Sequence, residues 1–239
     1  MSIKAVLFDM FDTLMLIEKN HEFYSPSLMR MYKYLKKKGV DVSFDMFEKA
    51  YVRARDELYA KVDANLGEPH FNVRVSDTLK SLGYNYDVSS PIVATATGEF
   101  CDEFMTYVRI DENAEAVLRG LHGKYKLGII SNFAIPECVH KLLNAHGLES
   151  LFDVIVISGA VNKRKPSPEI FKSTLKSLGV SASETVFVGD TVDADIEGAK
   201  AVGMKAVYIE RRVQKEAENV RPDQIIKSLS ELPLALERF

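Results

Sequence analysis

The chain has 239 residues, 46% hydrophobic and 27% charged, with 13 Gly, 8 Pro and 2 Cys, a make-up that excludes disorder and suits one large or two modest domains around a real core. No apolar run approaches the ~20 residues that span a bilayer; the chain reaches Asp9 too early for a signal-peptide core; and two cysteines, Cys101 and Cys138, form no disulfide framework, so a reducing cytoplasm is the expected setting. With 31 Lys and Arg against 34 Asp and Glu the net charge is −3, which leaves no global basic field for nucleic acid.

The first element is Ala5-Val6-Leu7-Phe8, a short apolar run that suits a strand buried on both faces. From about Leu16 to Tyr107 no strand run follows. Four helical stripes stand there instead: Leu28, Met31, Tyr32 and Leu35; Phe44, Phe47, Tyr51, Ala54 and Leu58; Phe71, Val75, Thr78, Leu79 and Leu82; and Val93, Phe100, Phe104 and Tyr107. After that block strands alternate with helices. Val117, Leu118 and Leu121 continue a stripe from Ala114, and Leu127 to Ile130 reads as a strand. Val139, Leu142, Leu143 and His146 form a helix face, followed by the run Val154 to Ile157. Ser167 then reads as an N-cap with Pro168 at the first helical position, ahead of Ile170, Phe171, Thr174, Leu175 and Leu178. Val186 to Val188 and Ala206 to Ile209 are two more buried strands, and Gly147, Gly179 and Gly203 sit where helix C-caps belong. After Arg211 the chain reads as a loop, a short edge segment near Ile225-Ile226 and a last helix. The pattern predicts an α/β fold: a doubly wound parallel sheet core from residues 1–16 and 108–239, with an all-helical second domain, 17–107, inserted after the first strand.

Three predicted strands end in reactive side chains: Asp9, Ser131-Asn132, and Gly189-Asp190. In an open parallel sheet ligands bind outside the carboxyl ends of the strands, so these residues are expected to share one pocket. Each segment also has a plainer reading. Asp9 to Leu14 makes an ordinary polar turn, Ser131-Asn132 a helix cap, and Lys163-Arg164-Lys165-Pro166 a solvated charge run. Asp190, Asp193 and Asp195 would suit a helix start, although three carboxylates within six residues exceed what a cap requires. Hard oxygen ligands of that kind suit Mg²⁺.

Together, the order and spacing of the four segments resemble the haloacid dehalogenase superfamily of hydrolases. Asp9 followed four residues later by Thr13 resembles its first motif, Ser131 its second, Lys165 its third, and Gly189-Asp190 with Asp195 its fourth. The helical block resembles the family's helical cap, seated on a Rossmann-like core. The resemblance implies an enzyme: a Mg²⁺-dependent hydrolase of small phosphate monoesters. Asp9 attacks phosphorus to form a phosphoaspartyl intermediate that water then hydrolyses. It implies a metal held by the Asp9 carboxylate, the backbone carbonyl of Phe11 and Asp190, with Asp195 binding through water or orienting Lys165. Thr13, Ser131 and Asn132 would donate hydrogen bonds to the transferring oxygens, and Lys165 would supply fixed positive charge.

One position departs from the family's phosphatases. Two residues after the nucleophile they carry an Asp that serves as general acid and base; here that residue is Phe11, with Asp12 one step further as a candidate substitute. Relatives that displace halide from 2-haloacids carry an aromatic residue there, and halide leaves without a proton. Those enzymes lack the Asp after the motif-four Gly, and six positions past the motif-three Lys they have Tyr, where this chain has Asp190 and Phe171. A 2-haloacid dehalogenase is therefore the alternative reading, and a non-catalytic module binding a phosphorylated ligand or a partner the second. His21, His70, His122, His140 and His146 show no metal-ligand spacing, and Lys36-Lys37-Lys38 reads as the solvated end of a helix. Tyr24, Arg53 and Arg55 are unranked candidates for contacting substrate from the cap. The expected partner is a small phosphorylated molecule, with no nucleic acid and no membrane; oligomeric state stays open.

Overall fold

The computed structural model describes residues 2–18, 22–211 and 220–239. His21 and the stretch 212–219 of the predicted tail loop lie outside the described residues. Six parallel strands form one sheet in the order β5-β4-β1-β6-β7-β8: β1 (Ala5–Phe8), β4 (Lys126–Ser131), β5 (Val154–Ile157), β6 (Thr185–Gly189), β7 (Lys205–Ile209) and β8 (Gln224–Ile226). β1 lies between β4 and β6, with Val6 opposite Leu127 on one side and Val186 on the other. All four β1 residues are fully buried, and alternate ones serve different cores. Val6 and Phe8 join Ile129, Val188 and Val207 on one face, while Ala5 and Leu7 join Ile130, Phe187 and Ala206 on the other. A side-chain period of two with both faces covered explains why these runs are continuously apolar.

Helices α5 (Ala114–Leu121) and α6 (Pro136–Ala145) supply Leu118, Leu142 and Leu143 to the first face, and α8 (Pro168–Leu178) supplies Ile170, Phe171 and Leu175 to the second. The predicted start of α8 is observed: Ser167 Oγ accepts from Glu169 N at 3.4 Å, and Gly179 ends the helix at φ +64°. A four-residue turn of helix, α7 (Ser158–Val161), follows β5 directly. A short α9 (Glu197–Ala201) leads to β7, and α10 (Leu232–Leu236) closes the chain.

Between β1 and α5 the chain leaves and re-enters through a two-stranded antiparallel ribbon, β2 (Met15–Ile17) and β3 (Val108–Ile110), with Met15 opposite Ile110 and Ile17 opposite Val108. Three-residue strands are too short to register as runs, so the sequence shows only helices here. Four of them fill the insert: α1 (Tyr24–Lys37), α2 (Phe44–Val62), α3 (Phe71–Ser81) and α4 (Pro91–Phe104). Ser43 caps α2 by accepting from Met46 N, and Phe47, Tyr51, Phe71, Phe100 and Phe104 are buried between the helices. The insert also docks on the core away from the ribbon. Phe71 N donates to Ala134 O at 2.8 Å, and Arg164 reaches Gly67 O at 2.9 Å and Asp63 Oδ1 at 2.6 Å. Lys163 Nζ donates to Asn65 O at 3.0 Å, so Lys163-Arg164 is a docking element and not a solvated run. Among the described residues no helix is long and apolar enough to cross a membrane.

Candidate active site

Asp9 follows β1 directly, and its amide extends the ladder to Val188 O at 2.9 Å. Ser131 ends β4, and Gly189 ends β6 one residue before Asp190. Three neighbouring strand ends therefore present these side chains at one rim, as ligand placement in parallel sheets requires. Lys165 arrives from the loop before α8. Its Nζ lies 2.5 Å from Asp9 Oδ1 and 2.7 Å from Asp195 Oδ1. The three side chains are almost completely buried, and carboxylate oxygens of Asp9, Asp190 and Asp195 all lie within 4.8 Å of one another.

Local geometry holds each group. The Asn132 amide clamps the Lys165 main chain at two points, Nδ2 donating to Lys165 O at 3.0 Å and Oδ1 accepting from Lys165 N at 2.7 Å. Its side chain thus positions the motif-three loop. After Gly189 the chain makes one wide π-type turn, Val192–Ile196, which carries Asp195 back so that its Oδ2 accepts from Thr191 N at 3.0 Å. A methyl group at Gly189 would collide with the Asp195 carboxylate, which explains a glycine at that strand end. Thr13 Oγ1 and Ser131 Oγ are buried hydroxyls with no hydrogen-bond partner among the described residues. Buried donors normally find partners, so two orphaned hydroxyls, one just after β1 and one at the end of neighbouring β4, suit a ligand's oxygens.

Among the described residues Asp9 and Asp195 share one ammonium, with the Asp190 carboxylate close by, and buried charge is expensive unless paired. Burial pushes the Asp9 carboxyl up to about 7; Lys165 pulls it down and Asp195 pushes it further up. Burial works to lower the Lys165 ammonium, yet Asp195 and Asp9 hold it above its ordinary value. The donor set is all hard carboxylate oxygen, which fits a divalent cation such as Mg²⁺.

The other predicted residues divide. Phe11 is turned toward the insert, its ring 4.7 Å from that of Phe133 and 5.4 Å edge-on to that of Phe104. Asp12 adopts φ +58°, and its Oδ1 accepts from Ile17 N at 3.1 Å, so this carboxylate braces the start of the ribbon. Phe171 is core, packed edge-on against Phe187 at 5.4 Å and close against Gly198. Arg53 and Arg55 pair with Glu57 and Asp56 on the surface. Tyr24, by contrast, lines a cavity of about 190 Å³ between insert and core, together with Arg74, Glu68, Tyr59, Asn132 and Phe133. Arg74 escapes a reading of the sequence because it stands inside the apolar stripe of α3; a lone charge between Phe71, Val75 and Thr78 is the signal that could have found it. Of the described histidines, His70 faces Glu137, His140 faces Glu149 and His122 faces a backbone carbonyl.

A parallel sheet with this strand order, a helical insert after β1, and carboxylates and a lysine gathered at the strand ends define a hydrolase fold that the comparisons identify. The model of the haloacid dehalogenase-like hydrolases matches residues 3–203, and the chain belongs to that family. Its sequence is 30% identical over 224 residues to the glyceraldehyde 3-phosphate phosphatase of Methanopyrus kandleri, a match covering 93% of this chain and 91% of that one. It is 34% identical over 122 residues to the phosphoserine phosphatase of Thermus thermophilus, where the match spans 51% of this chain and about half (47%) of the relative. In structure it is similar to a 2-haloacid dehalogenase from Pseudomonas syringae pv. Tomato DC3000, with a TM-score of 0.78 over 99% of both chains; at 23% identity that likeness speaks for the fold alone. The expected family, fold class and hydrolase character are thus borne out.

Proposed function

We propose that the protein is a divalent-cation-dependent phosphatase of small phosphate monoesters that works through a phosphoaspartyl intermediate on Asp9. The observation that carries this reading is the buried cluster of Asp9, Asp190 and Asp195 beside Lys165, whose carboxylate oxygens all lie within 4.8 Å of one another, as the ligands of one cation do. Asp9, the backbone carbonyl of Phe11 and Asp190 would hold Mg²⁺, which when bound offsets the repulsion between a carboxylate and an anionic phosphoryl group. Asp195, in contact with Lys165 Nζ, orients that ammonium. Lys165 works against the burial that raises the Asp9 carboxyl and lies beside the phosphoryl oxygens, while the unpartnered hydroxyls of Thr13 and Ser131 donate to them. Asn132 acts by holding Lys165 in place.

Attack of an Asp9 oxygen on phosphorus breaks the bond to the leaving oxygen, and water then cleaves the aspartyl phosphate. Phe11 offers no proton, and Asp12, the candidate substitute, has one carboxylate oxygen engaged by Ile17 N. A positioned acid contributes roughly 10²–10⁴-fold, so without one turnover is slow for alkyl esters and faster for esters with good leaving groups. Phosphatases among the sequence relatives support this reading over the dehalogenase, as does Asp190, which would repel an incoming haloacid carboxylate. The two buried free thiols, Cys101 and Cys138, suit a reducing, cytoplasmic setting.

The test is phosphate release from p-nitrophenyl phosphate and a panel of sugar and hydroxy-acid phosphates, run beside chloride release from 2-chloropropionate, each with Mg²⁺ or a chelator. Phosphate release that the chelator abolishes is the expected result. Chloride release indifferent to the chelator would replace this reading with the dehalogenase one, and silence in both assays would favour a binding module.

A further inference from the structure

Arg74 is the most deeply buried guanidinium among the described residues, 6% exposed, on the face of α3 that lines the cavity between insert and core. Its Nη1 donates to Tyr51 Oη at 3.1 Å and its Nη2 to Tyr59 Oη at 3.0 Å. The rings of Phe71, Tyr59 and Tyr51 lie 5.0, 5.2 and 5.8 Å from its Cζ. No carboxylate among the described residues comes within ion-pair distance of it. Glu68 stands one hydroxyl away and accepts from Tyr59 Oη at 2.6 Å. Most telling, Arg74 Nε is buried with no hydrogen-bond partner.

A structural arginine in an apolar bundle is normally fully paired, because an orphaned charged donor costs more than the contacts around it return. Here two of five N–H donors are satisfied and the Nε edge is left over. That edge, Nε–H beside the second N–H of Nη2, is the fork that fits a carboxylate. The cavity also reaches the catalytic rim: it is lined by Asn132, which clamps Lys165, and by Phe133, which touches Phe11. At about 190 Å³ it is well below the roughly 300–1,000 Å³ of drug-sized pockets and holds the volume of about six waters. A three- or four-carbon leaving group fits it.

Resting on the phosphatase reading above, we propose that Arg74 is the specificity residue for the leaving group and that the substrate is the phosphate monoester of a small hydroxy acid, its carboxylate seated on Arg74 Nε. Phosphorus sits over Asp9 while the acid end occupies the cavity. Tyr51 and Tyr59 hold the guanidinium in place, and Glu68 fixes Tyr59.

The test compares D-3-phosphoglycerate, glyceraldehyde 3-phosphate and glycerol 3-phosphate, which differ only at the carbon farthest from phosphate. The full chain is assayed with Mg²⁺, and p-nitrophenyl phosphate reports on the phosphatase chemistry itself. The acid is expected to exceed both neutral esters in kcat/KM by about tenfold or more, as a buried charge-assisted pair implies. Arg74→Gln is expected to bring that ratio toward one, and Arg74→Lys, which keeps the charge without the fork, to leave it intermediate. Equal rates for acid and neutral esters in the parent protein would overturn the proposal whether or not the variants fold, as would an unchanged ratio in folded Arg74→Gln. Phosphate release from none of the four esters would instead sink the phosphatase reading, and this inference with it.

Discussion

At the end of the sheet Asp9 and Asp195 pair with one ammonium while Asp190 stands close to both carboxylates; in the helical insert one guanidinium is wrapped by aromatic rings and two phenol hydroxyls. The first cluster is placed mainly by the path of the main chain, with one side-chain clamp. Strand ends fix Asp9 and Asp190, a wide turn fixes Asp195, and an amide clamp fixes the Lys165 loop. The second is held by side chains alone, Tyr24 to Tyr51 to Arg74 to Tyr59 to Glu68. Backbone-held groups tolerate little change of residue type, whereas a side-chain network can be rebuilt for another ligand. On the two proposals above, the chemistry belongs to the sheet and the choice of substrate to the insert.

The strongest way to break this contrast is Asp9→Asn. Removing the proposed nucleophile is expected to cut turnover by roughly 10⁴-fold or more with the fold intact by circular dichroism. Residual activity within tenfold of the parent would move the chemistry off the sheet rim. Asp190→Asn tests the crowding of carboxylates. Without metal the variant should melt higher than the parent, since one of the crowded like charges is gone. With Mg²⁺ in about hundredfold excess over its Kd, the parent should gain on the order of 5–10 °C, and the variant should lose most of that gain. Equal Mg²⁺-induced shifts would remove Asp190 from the ion site. The smallest effect belongs to an exposed ion pair and sets the floor. Lys4 and the capping Ser181 hold Glu184 down to about 2, below its ordinary value of 4.5. Its contribution to stability is therefore present above about pH 4.5 and is lost as pH falls toward 2. Glu184→Gln should lower the melting temperature slightly at pH 7, and the difference should close by pH 2; a difference that persisted there would assign it to packing.

Much of this was legible in the sequence because burial on both faces leaves an unbroken apolar run, and β1, β4, β5, β6 and β7 all carry one. The helices of the insert were legible from their stripes. The ribbon was not, since three residues make no pattern. Nor was the role of Asp12, whose positive φ and bond to Ile17 N depend on a turn that no residue count reveals. The rim residues could be named because each follows a strand end. The cavity could not, because Arg74 and its partner Tyr51 stand 23 positions apart on different helices and meet only when those helices pack.

One feature of the chain's path bears on how such proteins diversify. The outgoing and returning segments of the insert are hydrogen-bonded neighbours, Met15 against Ile110. Everything between them is a cassette that meets the core at this ribbon and through the contacts of Asp63, Asn65, Gly67 and Phe71. Because Asp9, Lys165, Asp190 and Asp195 lie outside that cassette, a cassette with a different lining would leave those side chains in register.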